Sequence, residues 1–169
     1  MTRYEFYILL IGVCLEERNK IWHGAFVCIF NKSFSKILLL NRNWKKKKRE
    51  GKTWESKAMW GNIGGSMEAG ETPQQACVRE AWEEIGVRLN LKDLVQVYVK
   101  KRPVSEPKPY IVCFYATTID EGTKISLNDE SYKFRWFNIE KLPKETLDKK
   151  EDILKWRNLA KTGKIRHKD

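Results

Sequence analysis

Apolar and polar positions follow two different periods along this chain, and each period predicts its own elements. Residues 24–31 and 36–41 are apolar, β-rich runs joined by a polar turn, which predicts a hairpin. Residues 94–100 and 110–117 make a second strand pair, and the segment 101–109 between them carries Pro103, Pro107 and Pro109 and reads as a loop. Across 72–86 the period changes to that of a helix. Val78, Ala81, Trp82 and Ile85 recur at i, i+3, i+4 and i+7, a stripe expected to pack on a sheet. Thr72 suits the N-cap, Pro73 the first helical position and Gln75 the capping box, and Gly86 supplies the stop. A second helix is predicted over 148–162, where Ile153, Trp156, Leu159 and Ala160 share a face, followed by a polar tail over 162–169. Strands around one strongly patterned helix, with another at the end and no internal repeat, give a layered α/β arrangement.

The apolar run 6–14 resembles the core of a signal peptide, but Glu5 precedes it and no small-residue cleavage site follows. It is also too short to span a bilayer, so a first strand joining the main sheet is the expectation, with no membrane segment elsewhere.

Composition narrows the class. At 169 residues, 41% hydrophobic and 33% charged, residues 1–169 read as one soluble globular domain with a sizeable core. Cys14, Cys28, Cys77 and Cys113 lack metal-type spacing and lie in apolar segments, which points to buried thiols in a reducing compartment, hence the cytoplasm. His23 and His167, the only histidines, start a strand and sit in the tail, so imidazole catalysis is poorly supplied. The formal net charge of +11 favours polyanionic partners in a salt-sensitive way. Much of that charge lies in a loop over 42–58, where Lys45, Lys46, Lys47, Lys48 and Arg49 stand between Trp44 and Trp54. Basic and aromatic groups together hold phosphates and bases, so Trp44, Lys45, Lys46 and Trp54 are candidate substrate contacts. The same run also reads as a solvated charge segment aiding solubility, or as a nuclear-targeting signal.

One feature of the first helix is chemical. Glu80, Glu83 and Glu84 stand at separations of three and four residues, where like charges cost about 0.2–0.5 kcal/mol per pair. The helix has no Lys, and its one Arg, Arg79, lies on the flank. A bound divalent cation is the simplest compensation. Magnesium takes oxygen ligands and shares its coordination among a few carboxylates, waters and substrate phosphates, so the stripe points to phosphate chemistry. The alternative is an ordinary solvated acidic face.

Spacing decides between these two. Gly65, Glu71, Arg79, Glu80, Glu83, Glu84 and Gly86, with Ala81 and Val87 at the apolar positions, resemble the Nudix box of the Nudix hydrolases with every fixed position filled. Trp60-Gly61-Asn62-Ile63-Gly64-Gly65 resembles the family's lead-in, with Ile63 where a Pro is usual. Phe134-Arg135-Trp136-Phe137 and Leu142-Pro143 resemble the strand and turn that close its sheet, so the likeness covers about residues 23–143.

The resemblance implies an α/β/α sandwich with a mixed central sheet, the box helix near 72–86 and a C-terminal helix near 148–162. It implies magnesium, with manganese as a substitute, held by Glu80, Glu83, Glu84 and the Gly65 carbonyl. Glu71 and Arg79 correspond to the ion pair that steadies the box. Glu83, Glu84 and Glu130 are the candidate catalytic carboxylates, and the general base is left open between Glu83 and Glu130, which precedes a strand expected over 132–139. The reaction implied is attack of water on a diphosphate linked to some further group. Three functions remain: hydrolysis of a nucleotide, above all a normal or oxidised nucleoside triphosphate; removal of pyrophosphate or a cap from an RNA 5′ end through the basic loop; or a non-catalytic binding module. The oligomeric state is left open.

Overall fold

The computed structural model describes residues 21–42, 59–102 and 109–163. Its first two strands, β1 (Trp22–Asn31) and β2 (Lys36–Arg42), form the hairpin that the alternation predicts. The turn is organised by Asn31, whose Oδ1 accepts the N–H groups of Ser35 at 2.9 Å and Lys36 at 3.0 Å. Phe34, at φ 56°, makes the left-handed step that brings the chain back.

The hairpin partners are registered only at Ile29–Leu38 and Phe30–Ile37. Beyond that point β1 pairs with β4 (Ile63–Ser66), while β2 pairs with β3 (Trp60–Gly61). The glycine-bearing segment is therefore built into the sheet by strands on two sides. Along its other edge β1 is parallel to β6 (Tyr110–Ile119), from Trp22–Tyr110 through Asn31–Ile119. β5 (Val95–Arg102) runs antiparallel to β6, and β7 (Ser131–Asn138) antiparallel to β2, which completes a mixed seven-stranded sheet. β5 reaches further than the composition suggests. Lys101 and Arg102 stay in register with Ile111 and Tyr110, so the ladder continues through what reads as loop in the sequence.

Helices cover both faces. Ala25, Val27, Ile29, Leu38, Leu40 and Ile63 pack under α1 (Pro73–Ile85). The alternate residues Cys28, Phe30, Ile37 and Leu39 pack with Phe114 under Ile153 and Trp156 of α2 (Lys150–Thr162). This period-two division of strand residues between two cores is what makes the fold an α/β/α sandwich.

Two expectations are corrected. Of the α1 stripe, Ala81 and Ile85 are buried and Val78 packs on the same core, but Trp82 does not follow. Trp82 is 50% exposed under the Arg88 guanidinium, and the buried set includes Glu80 and Glu84 beside Ala76, Cys77, Ala81 and Ile85. The reason is the partner surface: β4 presents Gly64 and Gly65 to the helix, and a glycine backbone accepts carboxylates where it has no side chains to offer. Two of the three acids, Glu80 and Glu84, are thus buried, while Glu83 stays exposed. α2 lies where it is expected, over Lys150–Thr162, and the residues just before it are taken up beside β3: Trp60 N–H donates to the Glu145 carbonyl at 2.9 Å, and Leu147 N–H to the Trp60 carbonyl at 2.8 Å. Secondly, Leu159 of the expected α2 stripe is 39% exposed, leaving Ile153 and Trp156 as the buried anchors. The strand expected over 6–14 lies outside the described residues, as do the Pro-rich segment 103–108 and the tail beyond Gly163.

Candidate active site

The site is assembled by α1 and the loop that leads into it. Thr72 caps the helix in both directions: its Oγ1 accepts the Gln75 N–H at 3.3 Å, and its own N–H donates to Gln75 Oε1 at 2.8 Å. Gly86, left-handed at φ 68°, ends it and donates to the Trp82 carbonyl. These caps fix where the helix starts and stops, and its packing on the sheet sets the direction in which its carboxylates point.

Two glycines receive them. Gly64 stands at φ 139°, and a Cβ there would fall 2.2 Å from the Ala25 carbonyl oxygen, so only glycine fits. Its N–H donates to Glu84 Oε2 at 3.1 Å, and the Glu84 residue is 1% exposed. At Gly65 a Cβ would stand 2.7 Å from Glu80 Oε1, so the carboxylate occupies the space that any other residue would fill.

Arg79 ties the loop to the helix. Its Nε and Nη2 reach the two oxygens of Glu71 at 2.7 and 3.1 Å, a two-pronged pair, and Nη2 also donates to the Ser66 carbonyl at 3.0 Å. Its Nη1 bridges Glu80 Oε1 at 3.1 Å and Glu83 Oε2 at 2.9 Å. The hydrogen bond from Arg79 holds the Glu71 carboxyl below its usual range, and the same bond pushes the guanidinium further up. From the sequence, the repulsion among the glutamates calls for a metal ion. In the structure part of that compensation is internal, because the Arg79 side chain turns from the flank into the acidic stripe.

The same arrangement tests whether a divalent cation suits the site. Carboxylates and a backbone carbonyl are the hard oxygen donors that magnesium and manganese take, and the missing Cβ of Gly65 leaves Glu80 beside that backbone. As they stand, no three His, Cys, Asp or Glu side chains among the described residues are grouped to hold an ion. The Nη1 group of Arg79 supplies the positive charge that Glu80 and Glu83 share. The donor set fits such an ion, and Nη1 stands where Glu80 and Glu83 meet.

The segment before β7 is docked on the end of the box helix. Ser126 N–H donates to the Ile85 carbonyl at 2.9 Å and Asn128 N–H to the Glu84 carbonyl at 3.4 Å, while Asn128 Oδ1 accepts the Glu130 N–H at 3.1 Å. Glu130 is exposed two residues from that contact. The fold thus carries Glu130 to the helix that bears Glu84, though 46 positions separate them along the chain. Trp44, Lys45, Lys46 and Trp54 lie outside the described residues. His23 lies within β1, and His167 lies outside.

Sequence reasoning missed Asn62 and Asp148. Asn62 Nδ2 donates to Asp148 Oδ2 at 2.8 Å across 86 positions of sequence, and no spacing rule connects residues so far apart. It also missed Trp22, whose indole N–H donates to Ser66 Oγ at 2.9 Å beside the box loop.

A mixed sheet between two helices, with a glycine loop against a carboxylate-bearing helix, defines an α/β/α protein built around one acidic site. The NUDIX domain model matches residues 21–157, and the chain belongs to the Nudix family, hydrolases that act on pyrophosphate bonds. Over 98 residues it is 30% identical to an ADP-ribose pyrophosphatase of Methanocaldococcus jannaschii, covering 56% of this chain and 57% of that protein. Over 131 residues it is 30% identical to an NAD-capped RNA hydrolase of Saccharomyces cerevisiae, covering 73% of this chain but 30% of that protein. A Bacillus subtilis protein named as a candidate 8-oxo-dGTP diphosphatase is 26% identical over 147 residues, with 86% of this chain and 87% of that protein covered. The crystal structure of a MutT NUDIX hydrolase from Burkholderia pseudomallei superposes with a TM-score of 0.59 at 21% identity, covering 80% of this chain and 96% of that one.

Proposed function

We propose that this chain is a magnesium-dependent pyrophosphohydrolase of a nucleoside diphosphate-linked substrate, and that the substrate is a nucleoside triphosphate, normal or oxidised, cleaved to monophosphate and pyrophosphate. The observation that carries this reading is the burial of Glu80 and Glu84 against the Gly64–Gly65 backbone, with Arg79 drawn into the same stripe. Carboxylates are taken out of water at this cost only where charge compensation is provided; Arg79 provides part of it, and a hard cation placed between these carboxylates and the phosphates of a substrate would complete it. The choice of triphosphate rests on the relative matched over most of both lengths.

Glu80, Glu83, Glu84 and the Gly65 carbonyl would hold the ion, with manganese as its substitute. When bound, such an ion neutralises charge on phosphoryl oxygens and lowers the pKa of water. The chain's own residues do the rest. Gly64 N–H fixes the Glu84 carboxylate, Arg79 and Glu71 lock the loop to the helix, and Glu130, exposed at the end of α1, takes the proton from the attacking water. Glu130 is preferred over Glu83 as this base because Arg79 already engages Glu83. Positioning and electrostatics supply most of the rate enhancement, and no covalent nucleophile is needed.

A second reading, hydrolysis at an RNA 5′ end, is favoured by the match to the yeast NAD-capped RNA hydrolase. The test is turnover of nucleoside triphosphates, ADP-ribose and 5′-triphosphate or NAD-capped RNA by the full chain with magnesium, following product release. Release of pyrophosphate from a nucleoside triphosphate at the highest kcat/KM of the panel supports the first reading, and a clear preference for RNA supports the second. Failure to turn over any of them overturns both.

A further inference from the structure

One set of side chains that the hydrolytic machinery leaves unused forms a line across the sheet. Trp22 of β1 stands opposite Tyr110 of β6, and Tyr110 stands opposite Arg102 of β5. By strand alternation these residues share the face of Phe26 and Val112, on the α2 side, and Lys100, registered with Val112, joins them there. Two residues along β1 from Trp22, Gly24 is registered with Ser66 of β4, and the Trp22 indole N–H donates to Ser66 Oγ at 2.9 Å. The line therefore starts at the box loop, where the Ser66 carbonyl receives Arg79, and runs out to β5, the last strand on that side of the sheet.

The groups along this line are positioned in advance. A Cβ on Gly24 would stand 2.8 Å from the six-membered ring of Trp22, so the missing side chain of Gly24 is the seat of the indole. Seated on backbone and pinned by its N–H, the ring is still 46% exposed. Its orientation is set before any partner arrives, which lowers the entropic cost of binding. Further along, Lys100 Nζ lies 5.8 Å and Arg102 Cζ 5.1 Å from the centre of the Tyr110 ring, and both cationic residues are exposed. Edge strands commonly carry cations that discourage pairing with another chain, which accounts for charge on β5. It does not account for an exposed indole locked beside the box loop, nor for a tyrosine that gathers the cations. An exposed ring followed by ordered cations is the chemistry that holds a single-stranded nucleic acid, the ring taking a base face and the cations following phosphates. An acidic protein segment would engage the cations and leave the indole without a role. None of these residues belongs to the basic run 45–49.

We propose that Trp22, Lys100 and Arg102, with Tyr110 behind the two cations, form a binding surface for a single-stranded polynucleotide that enters with its 5′ end toward the box loop. Trp22 stacks on one base, and Lys100 and Arg102 pair with phosphates further along the strand. Tyr110 and Ser66 are positioning residues. The direction rests on the reading of the acidic site as the place of a diphosphate, since a polynucleotide carries its diphosphate linkage at the 5′ end. The surface extends the ligands of that site from free nucleotides to polynucleotide chains.

The test is fluorescence anisotropy of a labelled single-stranded oligoribonucleotide of about 12 nucleotides, with the full chain and without magnesium, so that binding is read apart from turnover. The single strand should bind more tightly than a duplex of the same sequence, whose base faces are already stacked. Trp22→Ala should weaken binding by about 5- to 150-fold, while Trp22→Phe, which keeps a ring, should retain much of the affinity. Lys100→Gln and Arg102→Gln change exposed side chains, and each should reduce the slope of log affinity against log salt by about 0.7. A change in slope reports a lost phosphate contact, which a loss of folded protein would not give. Equal affinity for the duplex overturns the surface, as does an affinity unmoved in Trp22→Ala together with a salt slope unmoved in the Lys100→Gln, Arg102→Gln double variant. A chain that binds the oligonucleotide through these residues but hydrolyses no diphosphate substrate overturns the hydrolase reading and keeps this surface. Turnover of nucleoside triphosphates with no binding of the oligonucleotide does the reverse.

Discussion

Replacing each of the two adjacent glycines of the box loop by alanine separates fold from chemistry. At Gly64 the added Cβ would lie 2.2 Å from the Ala25 carbonyl oxygen and 2.6 Å from Phe26 Cα, both backbone of a central strand, with φ at 139°. Nothing there yields cheaply. A left-handed penalty of about 1–2 kcal/mol and an overpacking cost of about 1–3 kcal/mol place Gly64→Ala about 3 kcal/mol or more below wild type, a large share of a stability of about 5–15 kcal/mol. At Gly65 the added Cβ meets Glu80 Oε1 at 2.7 Å, the far end of a flexible side chain, and that oxygen needs to retreat by about 0.7 Å to reach the 3.4 Å of ordinary contact. The stability cost of Gly65→Ala is then about 1 kcal/mol. The carboxylate, however, leaves its position between Arg79 Nη1 and the loop, and a misplacement approaching 1 Å costs about 10²-fold in rate. Urea denaturation at neutral pH gives the first quantity, and magnesium-dependent turnover of a nucleoside triphosphate gives the second. Wild-type turnover and magnesium dependence in Gly65→Ala would refute the placement of Glu80 as a ligand, and a fully stable Gly64→Ala would refute the steric argument.

Three further outcomes are expected. Glu84→Gln keeps an acceptor for the Gly64 N–H but loses the charge, so it should cost about 1–2 kcal/mol while lowering turnover about 10²-fold or more; turnover near wild type would remove Glu84 from the site. Glu71 is held below the usual carboxylate range by Arg79, so the stability it adds is fully present above the unfolded-state value near about 4.3 and is lost as pH falls through its lower folded value. Glu71→Gln should therefore cost about 2 kcal/mol at pH ~7 and flatten the acid limb of urea midpoints, and an unchanged limb would count against the pair. Burial raises the thiols of Cys28, Cys77 and Cys113, the last to about 11, so at pH ~8 they should resist a thiol reagent until the chain is denatured. Peptide mass spectrometry locates the label, and rapid labelling of any of the three in the native state would contradict the packing.

Local pattern carried a large part of this protein. The caps Thr72, Gln75 and Gly86 are set by backbone chemistry within a few residues, so the ends of α1 were readable from the chain, as were the hairpin of β1 and β2 and the strands β5 and β6. The carboxylates and glycines of the box were legible because their spacing is short and fixed. Ala81 and Ile85 turn inward as the periodicity predicts, but the burial of Glu80 and Glu84 and the exposure of Trp82 were not legible, since hydrophobic periodicity assumes an apolar partner throughout and here part of the partner surface is the bare backbone of Gly64 and Gly65. Nor was the direction of the Arg79 side chain, whose five donors are divided among Glu71, Glu80, Glu83 and Ser66 only once loop and helix meet. The pairing of Asn62 with Asp148 and the docking of the Glu130 segment on the end of α1 belong wholly to the tertiary structure. A sequence records the separation of residues along the chain, whereas a carboxylate's protonation and partners depend on separation in space.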